Sequence, residues 1–196
     1  MEHSEYREYG EGWIRFTSPV SAGSSITAAL DAIRDSPLQA EYEEALEPLR
    51  LGPAGDPPAF LTAVDGQTRI PLSPQLTEFY AYARWWRGSR LLGEVVDPDD
   101  FLDHLTDPRI DLQDLLDDEF ESPYVLVDHR GAGLDPARCA LFSLDTVTHY
   151  PYSRVYLVFD PPEHSRAEGH IPGEPEVWGF QGEHFHTPDL RSYLTR

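Results

Sequence analysis

The sequence contains no lysine and no asparagine, and it has one cysteine and one methionine. A single cysteine, Cys139, excludes an intrachain disulfide and a cysteine-rich zinc site, and its apolar neighbours predict an inert core thiol. All 15 basic residues are arginine, against 35 acidic residues, so the net charge is −20. Because phosphate contacts need clustered cations, this charge argues against DNA, RNA and anionic membranes as partners. It favours a basic partner, a cation or solubility alone.

Long apolar runs are also missing. No stretch approaches the ~20 apolar residues of a membrane span, and no signal-peptide pattern follows Met1. We therefore expect a soluble, cytoplasmic protein that does not bind membranes. Apolar residues make up 40% of the 196 residues, which is enough for the core of one ordinary domain. The expected organisation is one α+β domain over residues 1–196, with residues 1–10 loosely held.

The local signatures of several enzyme classes are absent. The sequence has no P-loop, no H-E-x-x-H and no G-x-S-x-G motif, and Pro136 replaces the third glycine of its one dinucleotide-like stretch. A calcium loop starting at Asp97 fails as well, since Pro108 stands where the bidentate glutamate belongs. These absences remove the enzyme classes that local sequence would reveal without excluding an enzyme, and no cofactor is predicted.

Apolar spacing predicts helices in the first half of the chain. One helical face holds Ile26, Ala29, Leu30 and Ile33. Ser36, Pro37 and Gln39 then predict an N-cap, a first-turn proline and a capping box for a second helix that Gly52 closes.

A stronger helix is predicted from Ser73-Pro74, with an apolar face that extends to Trp86 before Gly88 ends it. Asp65-Gly66 predicts a hairpin before this helix, and Asp97-Pro98 a further helix after it. Beyond Pro123 the pattern changes to short strands separated by Gly, Pro and Asp. Helices followed by strands favour a mainly antiparallel, curved sheet with helices packed on one side.

Negative charge is concentrated in the middle of the chain. Between Glu94 and Glu121, twelve acidic residues stand against one arginine, Arg109, for a net charge of −11. The functional interpretation is a docking surface for a basic protein; the alternative is a solvated face in an acidic proteome. The expected partner-binding residues are Asp97, Asp99, Asp100, Asp103, Asp107, Asp114, Asp117, Asp118 and Glu119, with Trp85 and Trp178 supplying buried contact. Trp85 could instead be covered by the strand that follows it.

A histidine cluster offers a second interpretation. His184 and His186 are two residues apart, so on a strand both imidazoles would lie on the same face. His129 could complete a metal site if its strand lies nearby. The alternative is that exposed strand positions simply tolerate histidine.

Two longer segments carry a family resemblance. The first is IPLSPQLTEFYAYARWWRGSRLLG, and the second is a tail in which RVYLVFD is followed by EPEVWGFQGEHFHTPDLRSYL. Together they resemble the SUKH superfamily of Smi/Knr-like proteins over about Ile70 to Leu194. The resemblance implies an α+β fold with a curved sheet and a non-enzymatic role, commonly as an immunity protein that neutralises a bacterial toxin.

The sequence thus favours an immunity-type protein that blocks a basic toxin or effector through an acidic surface. One alternative is a small metal-dependent enzyme or metal-binding domain that uses the histidine cluster. Another is a regulatory or structural domain whose acidity reflects only its host.

Overall fold

A computed structural model describes residues 25–100, 134–145, 153–181 and 183–195. The helices in these residues are α1 (Ile26–Arg34), α2 (Pro37–Ala45), α3 (Pro74–Tyr82) and α4 (Leu190–Leu194). The strands are β1 (Arg50–Leu51), β2 (Phe60–Thr62), β3 (Arg69–Pro71), β4 (Trp86–Ser89), β5 (Gly93–Val95), β6 (Cys139–Asp145), β7 (Ser153–Val158), β8 (Glu176–Gln181) and β9 (Glu183–Thr187). Short 3-10 helices cover Pro136–Arg138 and Glu163–Ser165.

Seven of these strands form one antiparallel sheet in the order β1-β4-β5-β6-β7-β8-β9. Strands β2 and β3 form a separate antiparallel hairpin around Asp65 and Gly66, as the sequence predicts. The expected α+β class with a mainly antiparallel sheet is therefore confirmed. The strand predicted at residues 124–127 and most of the helix predicted from Asp97-Pro98 lie outside the described residues.

Helix α1 shows why the first apolar pattern was informative. Its buried residues are the four that the spacing predicts: Ile26, Ala29, Leu30 and Ile33. The Ser25 hydroxyl accepts a hydrogen bond from the Ala28 N–H at 3.1 Å, which satisfies a donor that the first turn leaves unpaired.

Along strands β6, β7 and β8, side chains on both faces of the sheet are buried. On one face, Phe142, Val155 and Leu157 join α1, α3 and α4 in the main apolar core. Side chains alternate along a strand, so the next residues point the other way. Tyr156 and Trp178 on that second face are 1% and 0% exposed. Cross-strand pairing places Tyr156 opposite Trp178 and Trp178 opposite His186, so the three form one row.

Helix α3 ends earlier than the sequence predicts. Ala83 is already extended, and Trp86 lies in strand β4 rather than on the helix. Trp86 is fully buried as expected, but it belongs to a strand that pairs with β1 and β5. Gly88 does not cap the helix. Gly88 has a φ of +71°, and a Cβ at this position would lie 2.6 Å from the Pro48 carbonyl oxygen. Both features require glycine at this point of the strand.

The predicted capping box of α2 is half correct. The Ser36 hydroxyl accepts from the Gln39 N–H at 3.1 Å, which confirms the N-cap. The Gln39 side chain does not return to Ser36. It donates to the Gly88 carbonyl at 2.7 Å and accepts from the Arg90 N–H at 2.9 Å, so it joins α2 to the β4–β5 hairpin. The helix ends at Ala45, before the predicted closing residue Gly52.

Candidate functional site

The start of the acidic segment is tied to an arginine. Arg84, next to the end of α3, lies 3.1 Å from an Asp97 oxygen and 2.6 Å from an Asp99 oxygen. Burial alone would lower the pKa of Arg84, but the hydrogen bonds and negative charges of Asp97 and Asp99 raise it overall. The Asp97 side chain is 17% exposed and also accepts from the Asp99 N–H, so it shapes this turn and offers little surface to a partner.

Asp99 and Asp100 are the exposed acids of this turn. The Asp99 side chain is 75% exposed despite its contact with Arg84, and Asp100 is exposed as well. Six further residues of the expected docking surface lie outside the described residues: Asp103, Asp107, Asp114, Asp117, Asp118 and Glu119.

The two tryptophans of the expected docking surface differ. Trp178 is 0% exposed, and its Nε1–H donates to Glu176 at 2.9 Å, so the expectation that it contacts a partner is wrong. Trp85 is half-buried and lies against Gly52, where a Cβ would come within 2.6 Å of its ring. The Arg87 guanidinium lies 5.2 Å from the Trp85 ring centroid. Trp85 is thus contacted both by Gly52, next to β1, and by Arg87 of β4, the strand that follows it.

The predicted histidine pair does lie on a strand, β9. His184 pairs with Phe180 and His186 with Trp178, so both histidines occupy positions on the same face of the sheet. The His186 ring packs 4.9 Å from the Trp178 ring, centroid to centroid. His129 lies outside the described residues, and these residues contain no group of three His, Cys, Asp or Glu side chains that could hold a metal ion. The three-histidine site stays a prediction.

Glu176 forms a buried polar cluster that the sequence did not predict. It is 0% exposed, and its two oxygens accept from the Ala167 N–H at 2.8 Å and the Trp178 Nε1–H at 2.9 Å. His170 Nδ1 lies 3.0 Å from Glu176 Oε1, at ion-pair distance but outside hydrogen-bond geometry. The cluster attaches the loop between β7 and β8 to the second face of the sheet.

A second buried carboxylate, Glu174, lies at the N-terminus of α3. Its Oε1 accepts from the Gln75 N–H at 3.2 Å. Gln75 also donates to Asp189 at 2.6 Å and accepts from the Arg191 N–H at 2.8 Å, which joins α3 to α4. Burial would raise the pKa of Asp189, but hydrogen bonds from Ser192 and Gln75 outweigh it and lower the pKa.

Glu174 also lines a groove of about 590 Å³. The groove lies between residues 68–74, which include β3 and the first residue of α3, and the 3-10 turn that precedes β6. Glu174 is 8% exposed, and its Oε2 is buried with no hydrogen-bond partner among the described residues. Two arginines also line the groove: Arg138 pairs at 2.7 Å with Asp160, another lining residue, and Arg69 stacks over Phe60 at 4.0 Å.

A further acidic surface lies on α2 and the turn after it. Glu41 and Glu44 are exposed on the helix, and Leu46 at its end is 68% exposed. Leu46 is therefore a single exposed apolar side chain, two residues after Glu44 in the sequence.

Comparisons with known proteins identify no relative. No protein-family model, curated protein or solved structure matches the chain. Among the described residues, no helix combines the length and apolar character needed to cross a membrane.

Proposed function

We propose that this protein binds a basic protein partner through its acidic surface and blocks that partner by occlusion. The observation that carries the proposal is the concentration of charge: a net −11 lies between Glu94 and Glu121, out of −20 for the whole chain. Such a field attracts a cationic partner and repels acidic competitors. The resemblance to SUKH proteins supports an immunity-type role, with a toxin or effector as the partner.

The described residues add support in two places. Asp99 and Asp100 hold exposed carboxylates at the start of the acidic segment, in a turn that Arg84 and Asp97 fix. The α2 surface adds further exposed acids, and the exposed apolar side chain of Leu46 follows them in the sequence. Charge at the rim raises the association rate, whereas apolar contact slows dissociation.

The test uses the protein encoded next to this chain in its source genome. We expect the triple variant Asp99→Asn, Asp100→Asn, Asp103→Asn to bind it with an association rate about three to ten times lower at ~20 mM salt, and nearly unchanged at ~500 mM. Asp97 stays intact because it organises the turn. Stopped-flow fluorescence measures the rates.

A matched control neutralises three exposed acids elsewhere: Asp56, Glu163 and Glu168. This variant has the same net charge as the first, so equal slowing by both would show that only total charge matters and would contradict a dedicated docking surface. Absence of binding by the unmodified chain would overturn the immunity-type role with this neighbour.

A further inference from the structure

The groove beside Glu174 has unbalanced charge. Glu174 and Asp135 both line it, and neither carboxylate has an ion-pair partner within the described residues. Asp160, the partner of Arg138, lines the groove as well, and Arg69 stacks over the Phe60 ring, so three carboxylates stand against two guanidinium groups. The groove therefore offers acceptors to a ligand more readily than it offers donors.

Glu174 has a buried carboxylate oxygen, Oε2, that has no hydrogen-bond partner among the described residues. A buried carboxylate oxygen without a donor is unfavourable, because it has lost water and gained no replacement. Oε1 accepts from the Gln75 N–H in the first turn of α3. Oε2 is therefore the carboxylate oxygen that has no donor among the described residues.

We propose that the groove binds one basic side chain, an arginine guanidinium or a lysine ammonium, through Glu174 and Asp135. This inference rests on the proposed function, because the basic side chain would belong to the partner protein. Glu174 lines the groove, and because the terminal torsion of a glutamate is broad, rotation about it would present a carboxylate oxygen to a ligand there. Asp135 reaches the same cation from the exposed side of the groove, with its Oδ1 still accepting from the Ala137 N–H.

The groove has suitable size and shape for such a ligand. Its volume of about 590 Å³ lies in the range of small-molecule pockets. Apolar groups, including Ile70 and Phe159, line part of it and would contact the methylene stem of the side chain.

The test needs no partner. Nα-acetyl-arginine amide is titrated into the unmodified chain and followed by isothermal calorimetry and by amide shifts in NMR. We expect a dissociation constant on the order of 1 mM, typical of one small charged contact. The citrulline analogue has the same shape without the charge, and we expect it to bind at least tenfold more weakly. Equal binding of the two compounds would overturn the proposal, as would no binding of the arginine compound.

Two variants locate the site. Glu174→Gln keeps an acceptor for the Gln75 N–H and removes the charge, and Asp135→Asn does the same at the exposed side. We expect both to weaken arginine binding at least tenfold, with Asp56→Asn as the unaffected control. Binding that survives in both variants would place the cation elsewhere and refute this site.

The same variants separate this inference from the proposed function. With a partner in hand, loss of Glu174 charge should speed dissociation, whereas loss of Asp99 and Asp100 charge should slow association. A protein that binds its partner but not the arginine compound would leave the proposed function standing and the groove refuted.

Discussion

Glu176 shows how one residue can organise a long loop. Its carboxylate is fully buried, yet both oxygens accept hydrogen bonds, one from the backbone and one from an indole. A glutamate in a strand would ordinarily be assigned to the solvent side of the sheet. Sequence pattern gives no sign of burial here, because the partners Ala167 and His170 lie in a loop without periodicity.

Replacement of Glu176 should therefore be costly. Glu176→Ala leaves the Ala167 N–H and the Trp178 Nε1–H without acceptors, and we expect a loss of about 3 kcal/mol in the free energy of unfolding. Urea denaturation monitored by tryptophan fluorescence measures it. The exposed Glu168 lies in the same loop, and Glu168→Ala should cost less than about 0.5 kcal/mol. Equal costs would show that the cluster does not hold the loop.

Among the predicted site residues, the tryptophans show the limit of sequence reasoning at this scale. Trp178 was expected to supply buried contact to a partner, but its ring packs against His186 and its Nε1–H donates to Glu176 within the fold. Trp85 packs on Gly52, a residue more than thirty positions earlier in the chain. Gly52 lies outside a local window around Trp85, whereas Glu176 lies within one around Trp178 but gives no sign in the sequence that it is buried.

At the scale of elements, starts were predicted better than ends. The serine caps of α1, α2 and α3 accept from backbone N–H groups three residues later, a local interaction that sequence encodes directly. The end of α3 depends on distant backbone instead: the Arg84 N–H donates to Pro53 and the Gly52 N–H to Trp85. These backbone hydrogen bonds hold the chain against the sheet from Arg84 onward, although the apolar spacing up to Trp86 also fits a helix.

Gln39 provides a test of whether its side chain acts in a local helix cap or in a contact with a distant part of the chain. A capping box accepts glutamate as readily as glutamine, so that hypothesis predicts no loss for Gln39→Glu. The fold predicts a loss of about 2 kcal/mol, because a carboxylate cannot donate to the Gly88 carbonyl and would repel Glu43.

Thermal and urea unfolding decide between the two hypotheses for Gln39. Gln67→Glu is the matched control, since Gln67 is exposed in the β2–β3 turn and should change stability little. An unchanged Gln39→Glu variant would mean that the bridge between α2 and the β4–β5 hairpin contributes nothing measurable.

At the scale of the whole molecule, the α+β class followed from the order of predicted helices and strands. The strand neighbours of β6 to β9 are also sequence neighbours, which makes an antiparallel arrangement easy to predict. Strand β5 pairs with β6 although Val95 and Ser143 are far apart in the sequence. No local sequence pattern predicts this pairing. The burial of the second sheet face was missed for the same reason.

Cys139 reports on the integrity of the whole fold. Burial, with a smaller effect of the charge of Asp135, raises the pKa of its thiol to about 12. We expect no reaction with a disulfide reagent at pH 8 in the native state and rapid reaction in denaturant, since the thiolate is the reactive form. Native-state labelling faster than global unfolding would contradict this burial.

The same shift predicts alkaline sensitivity. A folded pKa above the unfolded value of about 8.5 means that the native state holds the proton more tightly, so stability falls as pH rises from about 8.5 towards 12. Burial and the Asp31 hydrogen bond raise the pKa of Tyr82 to about 12, which adds a loss above about 10. Urea titrations at increasing pH measure the fall, and Cys139→Ala should reduce its first part.

The adjacency of β5 and β6 has an evolutionary consequence. The backbone pairing of Val95 with Ser143 and the Val96 N–H bond to Phe142 join two strands whose sequences flank residues 101–133, where most of the segregated acid lies. None of those acidic residues belongs to the pairing itself. Substitutions among them therefore leave the residues of this strand pair unchanged, so the charge of the chain can diverge between descendants that keep the same strand pair.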